Sequence, residues 1–229
     1  MKKFEEELFK LHKKLHNKDI FSFSKYADGE WAIMNKIPLN NGEFKSEYNQ
    51  DFYREKLIES FKFKDKNYIV GISCECCQGI EHDKMKMFSE QEDENLTFAN
   101  VFVNTNYSLY KSLFIEEYKK NDIHLICNEN SKIENLPFKV EKSYLVGFNA
   151  WVNNYNLIEE IIQQNINGKL FLFCCGPFGN ILAHQLYKAN KNNIYLDIGS
   201  TLNPWLQSEG FKRDYYCEGN FSKKTCKWV

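Results

Sequence analysis

The order of apolar and amphipathic segments predicts an α/β fold, a Rossmann-like and mostly parallel sheet with helices on both faces. Two observations carry this reading. Short, nearly continuous apolar runs at 68–72, 123–127, 169–174 and 194–198 have the length and composition of strands buried on both faces. Longer stretches with apolar residues at helical spacing fall between them, and strands that alternate with helices build parallel sheets.

Taken in order, Phe4, Leu8, Leu11 and Leu15 recur at helical spacing among Glu and Lys and predict an amphipathic first helix. Residues 20–23 are a short apolar strand. Residues 28–34 open on Asp28, a good N-cap, and predict a helix. Residues 40–47 are polar and read as a loop; 51–61 return to helical spacing through Phe52, Leu57, Ile58 and Phe61. After the strand at 68–72, the charged stretch 78–95 predicts a mobile loop with a short helix around Met85 and Met87, because little apolar burial offsets its ordering entropy. A strand at 97–103, a helix at 107–118 and a strand at 123–127 follow. Residues 144–146 read as short strand or loop. Then come a helix at 157–166 ending before Gly168, a strand at 169–174, a helix at 178–189 and a strand at 194–198. With no internal repeat or low-complexity linker, the chain reads as a single domain, 1–229. Its polar end, 212–229, reads as a loose, solvated tail carrying Lys223, Lys224 and Lys227.

The composition excludes several classes. The 229 residues, 43% hydrophobic and 27% charged, suffice for a sizeable globular core, in which the 16% aromatic residues should be prominent. A formal net charge of -1 provides no global field for nucleic acid or acidic membranes, so no nucleic-acid partner is expected. Arg54 and Arg213 are the only arginines, which leaves two candidates for a bidentate grip on phosphate. No apolar run approaches the ~20 residues that span a bilayer. Met1-Lys2-Lys3 is followed at once by Glu5, Glu6 and Glu7 rather than by an apolar segment. A cytoplasmic location is expected, and there the eight cysteines should be free thiols.

In parallel sheets ligands bind beyond the carboxyl ends of the strands, which directs attention to the strand ends leading into Asp28, Gly176 and Gly199. The first constellation is Lys25-Tyr26-Ala27-Asp28-Gly29-Glu30, which holds the only Asp-x-Glu of the chain. Two carboxylates in a tight turn can present oxygens to Mg²⁺ or Mn²⁺, and Gly29 permits close approach of the backbone. The competing reading is an Asp cap with Glu in the first helical turn. The second is Cys174-Cys175-Gly176-Pro177-Phe178-Gly179-Asn180, where a glycine turn could admit phosphate or ribose to a helix N-terminus, or could be a plain turn. It is neither a dinucleotide fingerprint nor a P-loop. The third is Asp197-Ile198-Gly199-Ser200, in which Asp197 could receive sugar hydroxyls or cap the next turn.

Cys74-x-Cys76-Cys77 follows a strand, but no second pair has zinc-ribbon spacing. The three are therefore expected to be unbridged and mostly buried small thiols rather than zinc ligands. A phosphatase-type cysteine needs an arginine close behind it on the same loop, and none is there. Glu81-His82-Asp83 reads as solvated loop.

At these motifs the sequence resembles glycosyltransferases of the GT-D fold. That family has a strand and then Arg-aromatic-Gly-Asp-Gly-Glu near the N-terminus, matched here by Lys25 to Glu30. Near the C-terminus it has a strand ending in Gly, a helix with small and leucine positions, and a strand ending Asp-Ile-Gly. These fall on Gly176, Ala183, Leu186, Asp197, Ile198 and Gly199. The resemblance spans about residues 20–200. Lys25 stands for Arg, keeping the charge and losing the fork; Ala27 stands for Gly, and Ser200 where many relatives have His.

The resemblance implies a divalent cation (Mn²⁺ or Mg²⁺) held by Asp28 and Glu30, which would be both metal ligands and catalytic residues. It implies a nucleotide-sugar donor, foremost a UDP-sugar, and a glycan or glycoprotein acceptor. Lys25, Tyr26, Gly29, Gly176, Pro177, Asn180, Asp197, Gly199 and Ser200 are the candidate substrate-binding residues. Glu75, Glu81, His82 and Asp197 are the candidate general bases. The rivals are a Rossmann-like methyltransferase, whose glycine turn would sit on the first strand, and a non-catalytic nucleotide-binding domain.

Overall fold

A computed structural model describes residues 2–40, 44–47, 49–206 and 225–228. In chain order it contains α1 (Phe4–His16), β1 (Ser22–Tyr26), α2 (Asp28–Met34), β2 (Leu39–Asn40), β3 (Lys45–Ser46), α3 (Asp51–Lys62), β4 (Tyr68–Ile72), α4 (Glu75–Gln78), α5 (Glu81–Ser89) and β5 (Leu96–Phe98). There follow α6 (Tyr107–Tyr118), β6 (Ile123–Asn128), β7 (Lys142–Val146), α7 (Ala150–Asn153), α8 (Leu157–Gln163), β8 (Leu170–Cys174), α9 (Pro177–Ala189), β9 (Ile194–Asp197) and α10 (Asn203–Leu206). Seven strands form one sheet in the order β5-β4-β1-β9-β8-β6-β7, and every pairing in it is parallel. The α/β, Rossmann-like expectation is borne out.

The side chains of β1 explain how the helices sit. In a strand, alternate residues face opposite sides. Ser22 and Ser24 face α9, where Ser22 Oγ donates to the Ala183 carbonyl at 3.1 Å and Asn180 Nδ2 donates to Ser24 Oγ at 3.0 Å. Their small size lets α9 lie close over the middle of the sheet, against β1, β8 and β9. Phe23 points the other way, onto Phe102, which in turn packs against Tyr110 and Phe114 of α6. α1 pairs with α6 on that face. α9 carries the heavier packing: Phe178, Ile181, Leu182 and Ala183 are fully buried, since α3 and α8 flank it and the sheet lies beneath. Burying each large apolar side chain there contributes roughly 1.5–3 kcal/mol.

Several elements differ from expectation. The first strand is Ser22–Tyr26 rather than 20–23, so Lys25 and Tyr26 belong to the strand instead of following it. The strand expected at 97–103 is limited to Leu96–Phe98; Asn100 and Phe98 then accept turn hydrogen bonds from Val103 and Val101, and the chain leaves the sheet. The 40–47 loop contributes the short antiparallel pair β2–β3. Residues 142–146 form an edge strand, with exposed positions on its outer side.

In 78–95 the short helix expected around Met85 and Met87 is present as α5, and the difference lies in its extent and anchoring. α5 buries His82, Met85 and Ser89, so apolar anchors are present and Glu81-His82-Asp83 is helical rather than a solvated loop. The chain end also departs from a solvated tail where it is described. Cys226 and Trp228 are 3% exposed, and Lys227 forms an antiparallel bridge with Lys3. Lys223, Lys224 and Arg213 lie outside the described residues. The seven described cysteines are unbridged, as expected, but Cys76 and Cys77 are exposed because the short α4 faces solvent; only Cys74 of that trio is buried.

Candidate functional site

The three strand ends singled out in the sequence belong to adjacent strands. β1, β9 and β8 are neighbours, so Asp28, Gly199 and Gly176 converge at the carboxyl edge of the sheet. They border a cavity of about 240 Å³. Lys25, Asp28, Gly29, Glu30, Gly176, Gly199 and Ser200 all line it, from stretches of sequence more than a hundred residues apart. Ala99, Asn100, Phe102 and Val103, after β5, line it as well.

Asp28 and Glu30 occupy the first turn of α2. The N-cap is Ala27 rather than Asp28, and Glu30, at the third helical position, accepts a hydrogen bond from the Ala27 N–H at 2.8 Å. That is half of a capping box. Glu30 is buried, whereas Asp28 is exposed. Asp28 makes no side-chain hydrogen bond or ion pair among the described residues. The first-turn reading therefore accounts for Glu30 Oε2 and leaves the Asp28 carboxylate facing the cavity with its oxygens uncommitted. A Cβ on Gly29 would meet nothing within 4 Å, so no protein packing demands glycine there.

Beneath the cavity floor lies Asp197, at the end of β9 and 3% exposed. It accepts the Lys25 N–H at 3.3 Å and the Gly199 N–H at 3.1 Å. Burial pushes its carboxyl up to about 7, opposed by the Lys25 ammonium and those backbone N–H groups and reinforced by the charge of Glu30. Asp197 and Glu30 thus repel one another across the site. Lys25 runs over Gly199, where a Cβ would collide with Lys25 Cε and where the backbone has φ +53°, a region that favours glycine. Gly176, with φ +57°, makes the turn into α9 and, as its N-cap, lines the cavity. The positive end of a helix dipole there favours anions.

Some candidates are not brought to the cavity. Tyr26 is fully buried on the α3 side, with its hydroxyl 2.8 Å from Ser60 Oγ and 3.3 Å from Tyr68 Oη. Asn180 is fully buried and holds Ser24 and the Lys25 carbonyl, so it positions the strand that carries Lys25. Pro177 lines a smaller adjoining lobe of about 30 Å³ together with Phe44 and Trp151.

None of the four general-base candidates lines the cavity. Glu75 is exposed on α4. Glu81 is engaged by Trp31 Nε1 at 2.7 Å and by Lys84. His82 is buried, with Nδ1 2.7 Å from the Ser73 carbonyl. Asp197 lies below the floor. Arg54 is likewise structural, its guanidinium donating to the carbonyls of Ile33 and Glu47. Among the lining residues that the sequence reading missed are Phe44, Asn100, Asn128 and Thr201. They carry no motif; only the fold brings them there.

No protein-family model matches the chain, and no curated protein matches its sequence. Solved structures do match. The chain is similar to a glycosyltransferase (DUF1792) from Streptococcus sanguinis, with a TM-score of 0.61 at 14% identity over 97% of this chain and 92% of that one. It is similar also to the highly conserved domain of unknown function 1792, described as having a distinct glycosyltransferase fold. There the TM-score is 0.59 at 13% identity, over 97% of this chain and 89% of the other. A selenomethionine-substituted structure of the same domain gives 0.57 at 13%, over 97% and 95%. The protein thus has the fold of the DUF1792 glycosyltransferases along nearly its whole length, as the motif resemblance implied.

Proposed function

We propose that the protein is a glycosyltransferase that moves a sugar from a nucleotide-sugar donor, foremost a UDP-sugar, to a hydroxyl of a glycan or glycoprotein acceptor. The observation that supports this best is the convergence of Lys25, Asp28, Glu30 and the α9 N-terminus on one cavity at the carboxyl edge of a glycosyltransferase-type sheet.

Asp28 and the free oxygen of Glu30 would hold a divalent cation, Mn²⁺ or Mg²⁺. Two carboxylates at a cavity wall, one uncommitted and one using a single oxygen, fit a hard cation, which takes oxygen ligands. When bound, such a cation offsets the negative charge that develops on a departing diphosphate. The chain's own part is electrostatic and geometric. The Lys25 ammonium and the positive end of α9 favour a diphosphate between them. Gly176 lets phosphate or ribose approach the backbone and the open space over Gly29 leaves room for it, while Gly199 lets the Lys25 side chain cross close over the chain. Asp197 holds Lys25 and Gly199 in place through their N–H groups.

The test is a thermal-shift screen of nucleotides and sugar nucleotides with Mn²⁺ or chelator, followed by calorimetric titration of the best donor into Asp28→Asn. A donor at ~100 times its dissociation constant should stabilise the fold by about 2.7 kcal/mol. This stabilisation should depend on the cation and be lost in Asp28→Asn, which folds normally because Asp28 caps nothing. Metal-independent binding of equal strength in the variant would overturn the metal reading. Stabilisation by S-adenosylmethionine alone would favour the methyltransferase. Binding with no donor hydrolysis or transfer would favour the non-catalytic domain.

A further inference from the structure

Cys74 ends the segment after β4, and Cys76 and Cys77 lie on α4. Cys226 arrives from the far end of the chain. One sulfur from each lies within 4.8 Å of the other three, with Cys74 Sγ and Cys76 Sγ 3.2 Å apart. Among the described residues this is the only group of three or more Cys, His, Asp or Glu side chains close enough to share a metal ion. We propose that Cys74, Cys76, Cys77 and Cys226 form a structural zinc site that pins the carboxyl-terminal segment to the cavity wall.

The geometry fits zinc. Tetrahedral Zn–S bonds of ~2.3 Å place the sulfurs ~3.8 Å apart, a spacing that small side-chain rotations reach from the observed cluster. Disulfides use the same atoms poorly. Cys76 and Cys77 are adjacent in sequence, Cys74 and Cys76 are separated by a single residue, and none of the four is bridged. Four thiolates form a closed set with no position for water, which is the arrangement of a structural rather than a catalytic zinc. Soft sulfur also selects zinc over the hard cations that suit Asp28 and Glu30.

The surroundings of the sulfurs support thiolates. Asn104 Nδ2 donates to Cys226 Sγ at 3.3 Å, and Asn100 Nδ2 points at Cys77 Sγ from 3.7 Å. Such outer donors offset the excess negative charge of a four-thiolate site and orient its ligands. The segment carrying Cys226 is held in register independently of the sulfurs. Lys227 bridges Lys3, Thr225 Oγ1 is 3.3 Å from Thr105 Oγ1, and the Trp228 ring packs edge-on against His82 and Phe98 at 5.0 and 5.1 Å. Cys226 is therefore delivered to the other three by contacts that do not need a metal. Asn100 also lines the cavity, so the clip would brace the part of the cavity wall that follows β5.

Binding converts four thiols to thiolates and releases their protons, so zinc should be lost on acidification. The experiment is metal analysis of the full-length protein, purified under reducing conditions without chelator. X-ray absorption at the zinc edge and Co²⁺ substitution read the ligands. About one zinc per chain with four sulfur ligands, and the visible bands of tetrahedral Co²⁺–thiolate, are expected. In Cys226→Ser and in Cys76→Ser the affinity for zinc should fall at least ~100-fold, beyond the ~10–100-fold typical of outer-shell changes. Cys76 lies on an exposed turn, so its variant keeps the test informative if Cys226→Ser fails to fold. Reduced protein that takes up neither Zn²⁺ nor Co²⁺ would overturn the proposal. So would zinc bound equally well by both variants, or a disulfide between Cys226 and any of the other three in freshly isolated protein.

Discussion

Two clusters of ligand-type side chains sit at the carboxyl edge of the sheet, one on each side of Asn100, and they differ in chemistry and origin. On one side Asp28 and Glu30 come from a single helical turn and present oxygen to an open cavity. On the other side Cys74, Cys76, Cys77 and Cys226 present sulfur, and the fourth ligand arrives from a part of the chain 149 residues beyond the third. As a cation site the oxygen pair would be incomplete, since two carboxylates leave positions for substrate oxygens or water. As a zinc site the sulfur set would be complete in itself. The difference teaches that a pair of carboxylates can be brought together within one helical turn, whereas a four-sulfur cluster draws on distant segments and, if it binds a metal, would tie them together.

The oxygen side can be probed most strongly through Asp197. Its carboxyl is held near 7 against about 3.9 in an unfolded chain, so the folded state binds the proton more tightly and stability falls as pH rises between those values. In the absence of divalent cations this group should cost up to about 4 kcal/mol by pH 8. His184 works in the opposite sense. Burial lowers its imidazole to about 4, so it costs stability as pH falls below 6.5. Urea denaturation of the parent and of Asp197→Asn from pH 4 to 8 isolates the carboxyl as the difference between the two curves. Saturating Mg²⁺, by favouring the charged carboxylate nearby, should flatten that difference, while Zn²⁺ at the sulfur cluster should not. A difference that is independent of pH would refute the buried-carboxyl account.

Crossing the two sites gives the next largest effect. Asp28→Asn should weaken Mn²⁺-dependent donor binding about 100-fold, or about 2.7 kcal/mol, while leaving the zinc content at one per chain. Cys226→Ser should do the reverse. Calorimetry and metal analysis on both proteins read the cross. If either substitution removes both metals, the clusters are one coupled site and the comparison fails.

Gly199→Ala should cost about 1–3 kcal/mol in urea unfolding, because it places a side chain at φ +53° and against Lys25. Donor affinity should fall with it as Lys25 is displaced. Gly29→Ala, at a position with open space, serves as the contrasting control for stability. The smallest effect belongs to Glu30→Gln. Glutamine can still accept the Ala27 N–H, so unfolding free energy should change by less than ~1 kcal/mol even as cation-dependent binding is lost. Cation-dependent donor binding left unchanged in this variant would show that Glu30 serves chiefly as a cap.

Much of the fold was legible because the periodicity of burial is written locally. Residues 68–72 and 107–118 are found as read, since an apolar run between turns and an apolar stripe at helical spacing each have one well-buried conformation. The misreadings occur where tertiary contacts override local polarity. α5 looks too charged to anchor itself, yet Met85 and His82 find a core between α5, β4 and the chain terminus.

The site divides in the same way. Asp28, Glu30, Gly176 and Gly199 could be chosen from the sequence because ligand oxygens two residues apart and glycines at strand ends have local signatures. Strand order decided the rest. Adjacency of β1, β9 and β8 makes three separate turns into one cavity, turns Tyr26 and Asn180 inward as supports, and adds Asn100 and Asn128, which no motif marks. The sequence by itself determined the kinds of elements and the local pair of carboxylates, because both depend on neighbours within a few residues. Only the tertiary structure decided that Asp197 lies buried against the Lys25 backbone and that Cys226 meets Cys74, Cys76 and Cys77. Those meetings depend on which strands and segments pack side by side, and local periodicity carries no information about that pairing.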